Sequence, residues 1–293
     1  LNGIAWKLNV NALADQSVLN VDVRDSDALL GVGAPVIAMN SMDRGGNPNW
    51  VFMQTAPGET NTWTGNSNTV WSLGPNWSLA RPPIDADFIL IPTGRPRYPV
   101  LDADRIVNGI EIQTGASLSL AGYNLTVSKA ATMAGTLTAS ATEIITFQTN
   151  VNFAGSTFTA VNSTVVLAGS GNQSVNLANL TFNKIAALNS VGTIAFGNGF
   201  SATELRCEAA TGTRNITFQQ GALVTLRDFM MLGSIASANI FLRSSAPGQK
   251  WNLDVAGYRS VQGVNVRDSD ASLGLPIPAA SSMNSGNNTN WFF

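Results

Sequence analysis

The sequence predicts an all-β chain of stacked parallel strands, a β-solenoid, on three observations. Strand-like segments recur through more than 200 residues with almost no helical pattern between them, which is long for one sandwich. Many are very short apolar–polar–apolar stretches, the length of one flat side of a coil. The turns between them are small and polar, rich in Gly, Ala, Ser and Asn, so successive coils can stack closely. In such a fold each rung hydrogen-bonds to the next, and backbone groups are satisfied along the axis without helices.

The elements follow in order. Asp87-Phe88-Ile89-Leu90-Ile91-Pro92 reads as a buried strand. Gly109–Gln113, Ser117–Leu120 and Asn124–Val127 alternate apolar and polar residues, the period-2 sign of a strand with one buried face. Thr-Gly-Ala and Ala-Gly-Tyr turns separate them. Gly135–Ala139, Ile144–Phe147, Ser163–Leu167, Asn179–Phe182 and Gly192–Phe196 continue the pattern. Asn215–Phe218, Leu223–Leu226, Asn239–Leu242 and Val264–Val266 complete it.

The chain closes on the block with which it opens. Residues 24–31 read Arg-Asp-Ser-Asp-Ala-Leu-Leu-Gly and residues 267–274 read Arg-Asp-Ser-Asp-Ala-Ser-Leu-Gly, a separation of 267 − 24 = 243 residues. The match extends from Trp6/Trp251 to the Asn-x-Asn-Trp segments at 47–50 and 288–291, the offset drifting from 245 to 241 through small loop indels. One large unit repeated at a fixed period is the signature of a tandem array or an end-to-end polymer.

Thr62-Trp63-Thr64-Gly65, Asn76-Trp77-Ser78 and the run from Pro82 to Pro92 are similar to the opening of solenoid units in large bacterial secreted and cell-surface, adhesin-like proteins. Tyr98–Asp102, Ile110-Glu111-Ile112 and Gly115–Val127 continue that resemblance, and Gly286–Phe293 resembles the unit ending. It covers nearly the whole chain and implies a right-handed parallel β-helix, without any catalytic residues to carry over. Residues 1–52 are then expected to be the closing coils of a preceding unit, 53–61 a Pro/Gly-containing linker, and 62–293 a complete unit. A coil without neighbours exposes its interior strip and strand edges, so residues 1–52 are expected to need packing from a preceding unit or another chain.

Composition narrows the function. Only 12% of the residues are charged, against roughly 25% in an ordinary soluble protein, and between 130 and 203 the charges are Glu143 and Lys184 alone. A net charge of −2 gives no attraction to nucleic acid or anionic membrane. No apolar run approaches the ~18 residues of a membrane span. The chain starts at Leu1, so no cleavage site can be read, and any signal peptide is expected to have been removed or to lie upstream. There is no histidine, which removes the commonest general base and zinc ligand. The single cysteine, Cys207, sits in a strand-like stretch and is expected to be a buried core residue.

Four groups of residues could carry a site. Trp63, Trp71 and Trp77 suggest either glycan contact or a plug over the solenoid end. Trp50, Phe52, Trp291, Phe292 and Phe293 are the candidate assembly junction, since large aromatic residues anchor such contacts. Asp25 and Asp27, with Asp268 and Asp270, form Asp-x-Asp pairs that could take calcium, near Asp43, Asn47 and Asn49 in the first block. The competing reading is an Asx-turn with Arg24 or Arg267 paired to an aspartate. Asp85, Asp87, Asp102 and Asp104, with Arg81, Arg95, Arg97 and Arg105, could suggest the carboxylates of a polysaccharide-cleaving enzyme, against turn chemistry and surface ion pairs.

These observations lead to an expectation of a non-enzymatic structural protein of the cell exterior, its units joined head to tail into a filament, sheath or surface stalk. Its partners would be neighbouring copies, with surface glycans as a second class, and calcium is the one cofactor the residues suggest. The alternatives are a glycan-binding adhesin and, second, a polysaccharide lyase or hydrolase.

Overall fold

The computed structural model describes residues 5–10, 18–19, 21–30, 35–39, 41–53 and 58–293. It divides into two compact units, Leu1–Pro57 and Gly58–Phe293. The break falls inside the stretch expected to be a linker, and residues 54–57 lie outside the described residues. Thr60 and Asn61, at the end of that stretch, already belong to the second unit's first strand, paired with Phe88 and Ile89. Their polar side chains read as linker, but the buried Asn61 amide donates to the Arg81 carbonyl at 3.1 Å.

Among the described residues the strands stack as parallel β-solenoid coils, about 12 turns in all, with 46% of those residues in strands and 1% in helix. Every pairing between the named strands is parallel, while the isolated bridge Trp63↔Trp77 is antiparallel. In the second unit the rungs form two long sheets and a short third one of Ser117–Ser119, Thr136–Thr138 and Thr157–Thr159. One 3₁₀ turn, Gly74–Asn76, interrupts the strands.

Register explains how the sequence specifies the coil. Leu125, Ile145, Val165, Ile185 and Leu205 pair in succession at an even spacing of 20 residues, and Phe229 extends the column. All are buried. On the other long sheet Ile89, Ile110, Ala131, Val151, Val175, Phe196 and Phe218 form a second buried column. A period-2 strand sends alternate side chains inward, so stacking in register makes each inward position a continuous apolar ladder. Cys207 is one such inward residue, aligned with Met231, which in turn aligns with Val261.

The turns hold the rungs together closely. Gly192, at φ 82°, would place a Cβ 2.3 Å from the Gly171 carbonyl carbon one coil away, so only glycine fits there. Glu143 supports another turn from inside. Its buried carboxylate accepts backbone N–H groups of Ser140, Ala141 and Gly122 at 2.7, 2.8 and 2.9 Å, joining two coils.

The strands expected from the pattern form close to where it put them, for example Phe88–Ile91, Ile144–Phe147 and Val264–Val266. Two run longer. Thr181–Ala187 continues past Phe182, and Leu223–Leu232 continues past Leu226 to serve two strands of the next coil, Trp251–Val255 and Arg259–Gln262.

Candidate functional site

The first block lies in unit Leu1–Pro57 and the second closes unit Gly58–Phe293. Each is described within its own unit, and the two have the same internal pairing. Trp6↔Ser26 matches Trp251↔Ser269, Val18↔Ala38 matches Val261↔Ala279, Val23↔Asp43 matches Val266↔Asn284, and Val36↔Trp50 matches Ile277↔Trp291.

Side chains repeat the same bonds. Asn47 Oδ1 accepts from Ser26 N at 2.9 Å and Asn288 Oδ1 from Ser269 N at 3.1 Å. Their amide groups donate to the carbonyls of Val23 and Val266, each at 2.9 Å. Asn49 and Asn290 take the left-handed conformation, φ 60° and 62°, and donate to the carbonyls of Ala28 and Ala271 at 3.0 and 2.9 Å. Asparagine tolerates that backbone because its short amide bonds locally.

One ion pair is kept although its lysine has moved. Asp27 pairs with Lys7, one residue after Trp6, and Asp270 pairs at 3.6 Å with Lys250, one residue before Trp251. Alignment of the two sequences alone hides this exchange.

The four aspartates weighed for calcium are each engaged in turn geometry. Asp25 and Asp268 sit at φ 50° and 59°, with Arg24 Nε and Arg267 Nε at 3.5 and 3.3 Å. Asp27 and Asp270 accept from Leu29 N and Ser272 N, each at 3.0 Å, as in an Asx-turn. Burial pushes the Asp268 carboxyl up, but Asn287, the Gly248 N–H and Arg267 outweigh it and hold it below the usual range. Lys7 does the same for Asp27, and Ser272 for Asp270. Among the described residues no group of three or more His, Cys, Asp or Glu is arranged to hold a metal ion.

The Trp trio lies at the start of the second unit. Trp63 and Trp71 each pack edge-on against Trp77, with centroids 4.9 and 4.8 Å apart. All three are buried, and Trp63 and Trp77 donate their indole N–H to the carbonyls of Arg97 and Trp71, each at 2.7 Å. Placed so, they offer no open ring face to a sugar, which corrects the glycan-contact reading. The three mutually packed indoles bury a large apolar surface beside strand Phe88–Ile91, where Trp63 N donates to the Leu90 carbonyl at 2.8 Å.

The nearby carboxylates are also held by neighbours. Arg81 donates to both oxygens of the buried Asp87 at 2.5 and 3.0 Å, with Ile84 N at 3.0 Å. Asp102 binds Ser72 and Arg105, and Asp104 binds Asn124 through its backbone N–H at 2.8 Å and its amide at 2.9 Å. Burial raises the Asp87 and Asp102 carboxyls, but these partners bring both below their ordinary value. Asp85 shows no such engagement and is exposed.

The junction aromatics divide. Trp291 is 9% exposed and packs edge-on against Phe229 in its own unit, 6.3 Å between centroids, so it is a core residue of the block and not a free contact. Phe292 and Phe293 remain exposed. Phe293 stacks on Trp291 as Phe52 does on Trp50, with centroids 6.0 and 5.7 Å apart.

Fold and pairing define the class: this is a parallel β-solenoid protein carrying a duplicated end block. Searches against protein families, curated proteins and solved structures returned no match. No helix of the described residues is long and apolar enough to cross a membrane.

Proposed function

We propose that this chain is a non-enzymatic structural repeat of the cell exterior, joined head to tail with others of its kind into a filament, sheath or surface stalk. The supporting observation is the duplicated block: the same register, the same asparagine bonds and the same stacked aromatic pair occur twice, near opposite ends of the sequence. A head-to-tail contact repeated between like units gives an open filament unless its rotation closes a ring. The engagement of Asp25, Asp27, Asp87, Asp102, Asp104, Asp268 and Asp270 in turns, ion pairs and side-chain bonds favours a structural role for them over acid–base chemistry.

The outward aromatics are where the next unit would meet this one. Phe292 is 60% exposed and Phe293 also stands open, adjacent large aromatic side chains of the kind that anchor protein–protein contacts. Phe292→Asp, which leaves the stacked Phe293–Trp291 pair in place, should shorten or abolish native assemblies. Assemblies of unchanged length and stability would mean that the junction lies elsewhere.

A further inference from the structure

In the second block, Trp251 is fully buried, with its ring stacked on Phe218 at 4.0 Å and 18°. Its counterpart Trp6 is 50% exposed. The same contrast runs across the coil. Val261 and Val264 are buried, whereas Val18 and Val21 are only half-buried; Trp291 is buried, whereas Trp50 is half-buried.

Strand edges tell the same story on all three sides. In the second block, Trp251–Val255 and Arg259–Gln262 pair on their upstream edges with Leu223–Leu232, and Val264–Val266 pairs with Ile240–Ser244. The equivalent strands Trp6–Lys7, Val18–Leu19 and Asp22–Val23 pair downstream only, among the described residues. Between them opens a cavity of about 450 Å³ lined by Trp6, Val18, Val21, Val23 and Trp50, with the exposed Asp22 and Arg24 at its edge. In the second block the rings of Phe218 and Phe229 meet the corresponding Trp251 and Trp291.

We propose that the face formed by Trp6, Val18, Val21, Val23 and Trp50 is a docking site for one more solenoid coil of this chain's own type, joined covalently ahead of Trp6 and placing aromatic side chains equivalent to Phe218 and Phe229 in the cavity. The occupant is identified by the second block, which shows what covers the same face when it is complete. The covalent source follows from the connection there: strand Ile240–Ser244 reaches Trp251 through the six residues Ser245–Lys250. Unpaired strand edges and an apolar interior strip together call for a strand-pairing partner, which a sugar or other small ligand cannot be. This names the partner in the head-to-tail reading and rests on that reading only for the claim that units follow one another.

The test replaces residues 1–5 with a second copy of residues 58–250, so that Lys250 of the added copy precedes Trp6 and the rest of the chain follows unchanged. Hydrogen exchange is read on peptides covering Trp6–Leu8 and Val18–Val23, whose sequences occur once in the extended chain. Exchange there should slow at least about tenfold relative to the unextended chain, because both edges of each strand are now paired. Unchanged exchange would overturn the proposal. So would equal slowing in the unextended chain on raising its concentration, which would make a separate copy the occupant.

A pair of variants guards against an extension that fails to fold. In the unextended chain Trp251→Ala should lower the melting temperature and Trp6→Ala should leave it unchanged. In the extended chain both should lower it, and a Trp6→Ala that stays silent there contradicts the proposal. Filament formation is scored separately by electron microscopy: slowed exchange without filaments sinks the fibre reading and leaves this one standing.

Discussion

Trp50 and Trp291 occupy one position in two blocks: each donates its indole N–H to a serine hydroxyl at 3.0 Å, Ser26 in the first and Ser269 in the second. The bond is the same but its setting differs, since Trp291 is buried and Trp50 is half-buried. Removing the acceptor from a buried donor costs about 1–3 kcal/mol, whereas a donor within reach of water recovers most of its bond. Ser269→Ala should therefore lower the unfolding free energy of unit 58–293 by about that amount, and Ser26→Ala should have a clearly smaller effect on its own block. Denaturant melts with exchange read separately on the two blocks check this; equal effects would mean that the burial difference is not real in solution.

Acid should weaken the solenoid through Glu143. Burial alone would raise its carboxyl, but the backbone N–H groups of Ser140, Ala141 and Gly122 outweigh that and bring it from 4.5 down to about 2. The folded pKa is depressed, so the stabilisation is complete above about pH 4.5 and is lost as the pH falls through about 2. It amounts to something on the order of 3 kcal/mol. Wild type should exceed Glu143→Gln in stability by about that much near neutrality, the gap closing toward zero at about pH 2. A gap that does not change with pH would contradict the assignment.

Cys207 should be chemically silent in the folded chain. Burial pushes its thiol to about 12, only partly countered by the positive charge of Arg214. A thiol-specific reagent at mildly alkaline pH should label the native protein hardly at all and the denatured protein with one equivalent. Rapid labelling of native protein would show that the column holding Cys207 opens.

The indoles of Trp63, Trp71 and Trp77 should matter for folding and not for sugars. Trp77→Ala removes the ring shared by both edge-on pairs and should cost about 3–5 kcal/mol, first exposing the rungs near Phe88–Ile91. A melting curve with exchange data reads this. Saturable glycan binding by the wild type, lost in Trp77→Ala with the fold intact, would restore the sugar-platform reading.

Much of this was legible in the residues. Alternation in segments such as Ser117-Leu118-Ser119 marks the inward side of a rung, and a shared Arg-Asp-Ser-Asp-Ala motif marks the two blocks. Strands such as Gln173–Asn176 and Thr157–Thr159 escaped notice because their outward residues are polar and their inward ones few. The role of Glu143 escaped because a lone carboxylate in a Thr/Ala-rich stretch gives no hint of which amides will surround it. Ser26 and Ser269 lay inside the repeated motif, yet their bond to a tryptophan more than 20 residues away depends on coil register. The lysine exchange between Lys7 and Lys250 is likewise a property of neighbouring strands, which a linear alignment does not contain.

The central claim is head-to-tail continuation of solenoid units, and electron micrographs of the native material test it most directly. The account predicts regular filaments whose power spectrum carries a spacing of about 4.7–4.9 Å along the fibre axis, the distance between hydrogen-bonded strands stacked up a solenoid. Discrete particles the size of a single 30.8 kDa chain, with no filaments at any concentration, would contradict it.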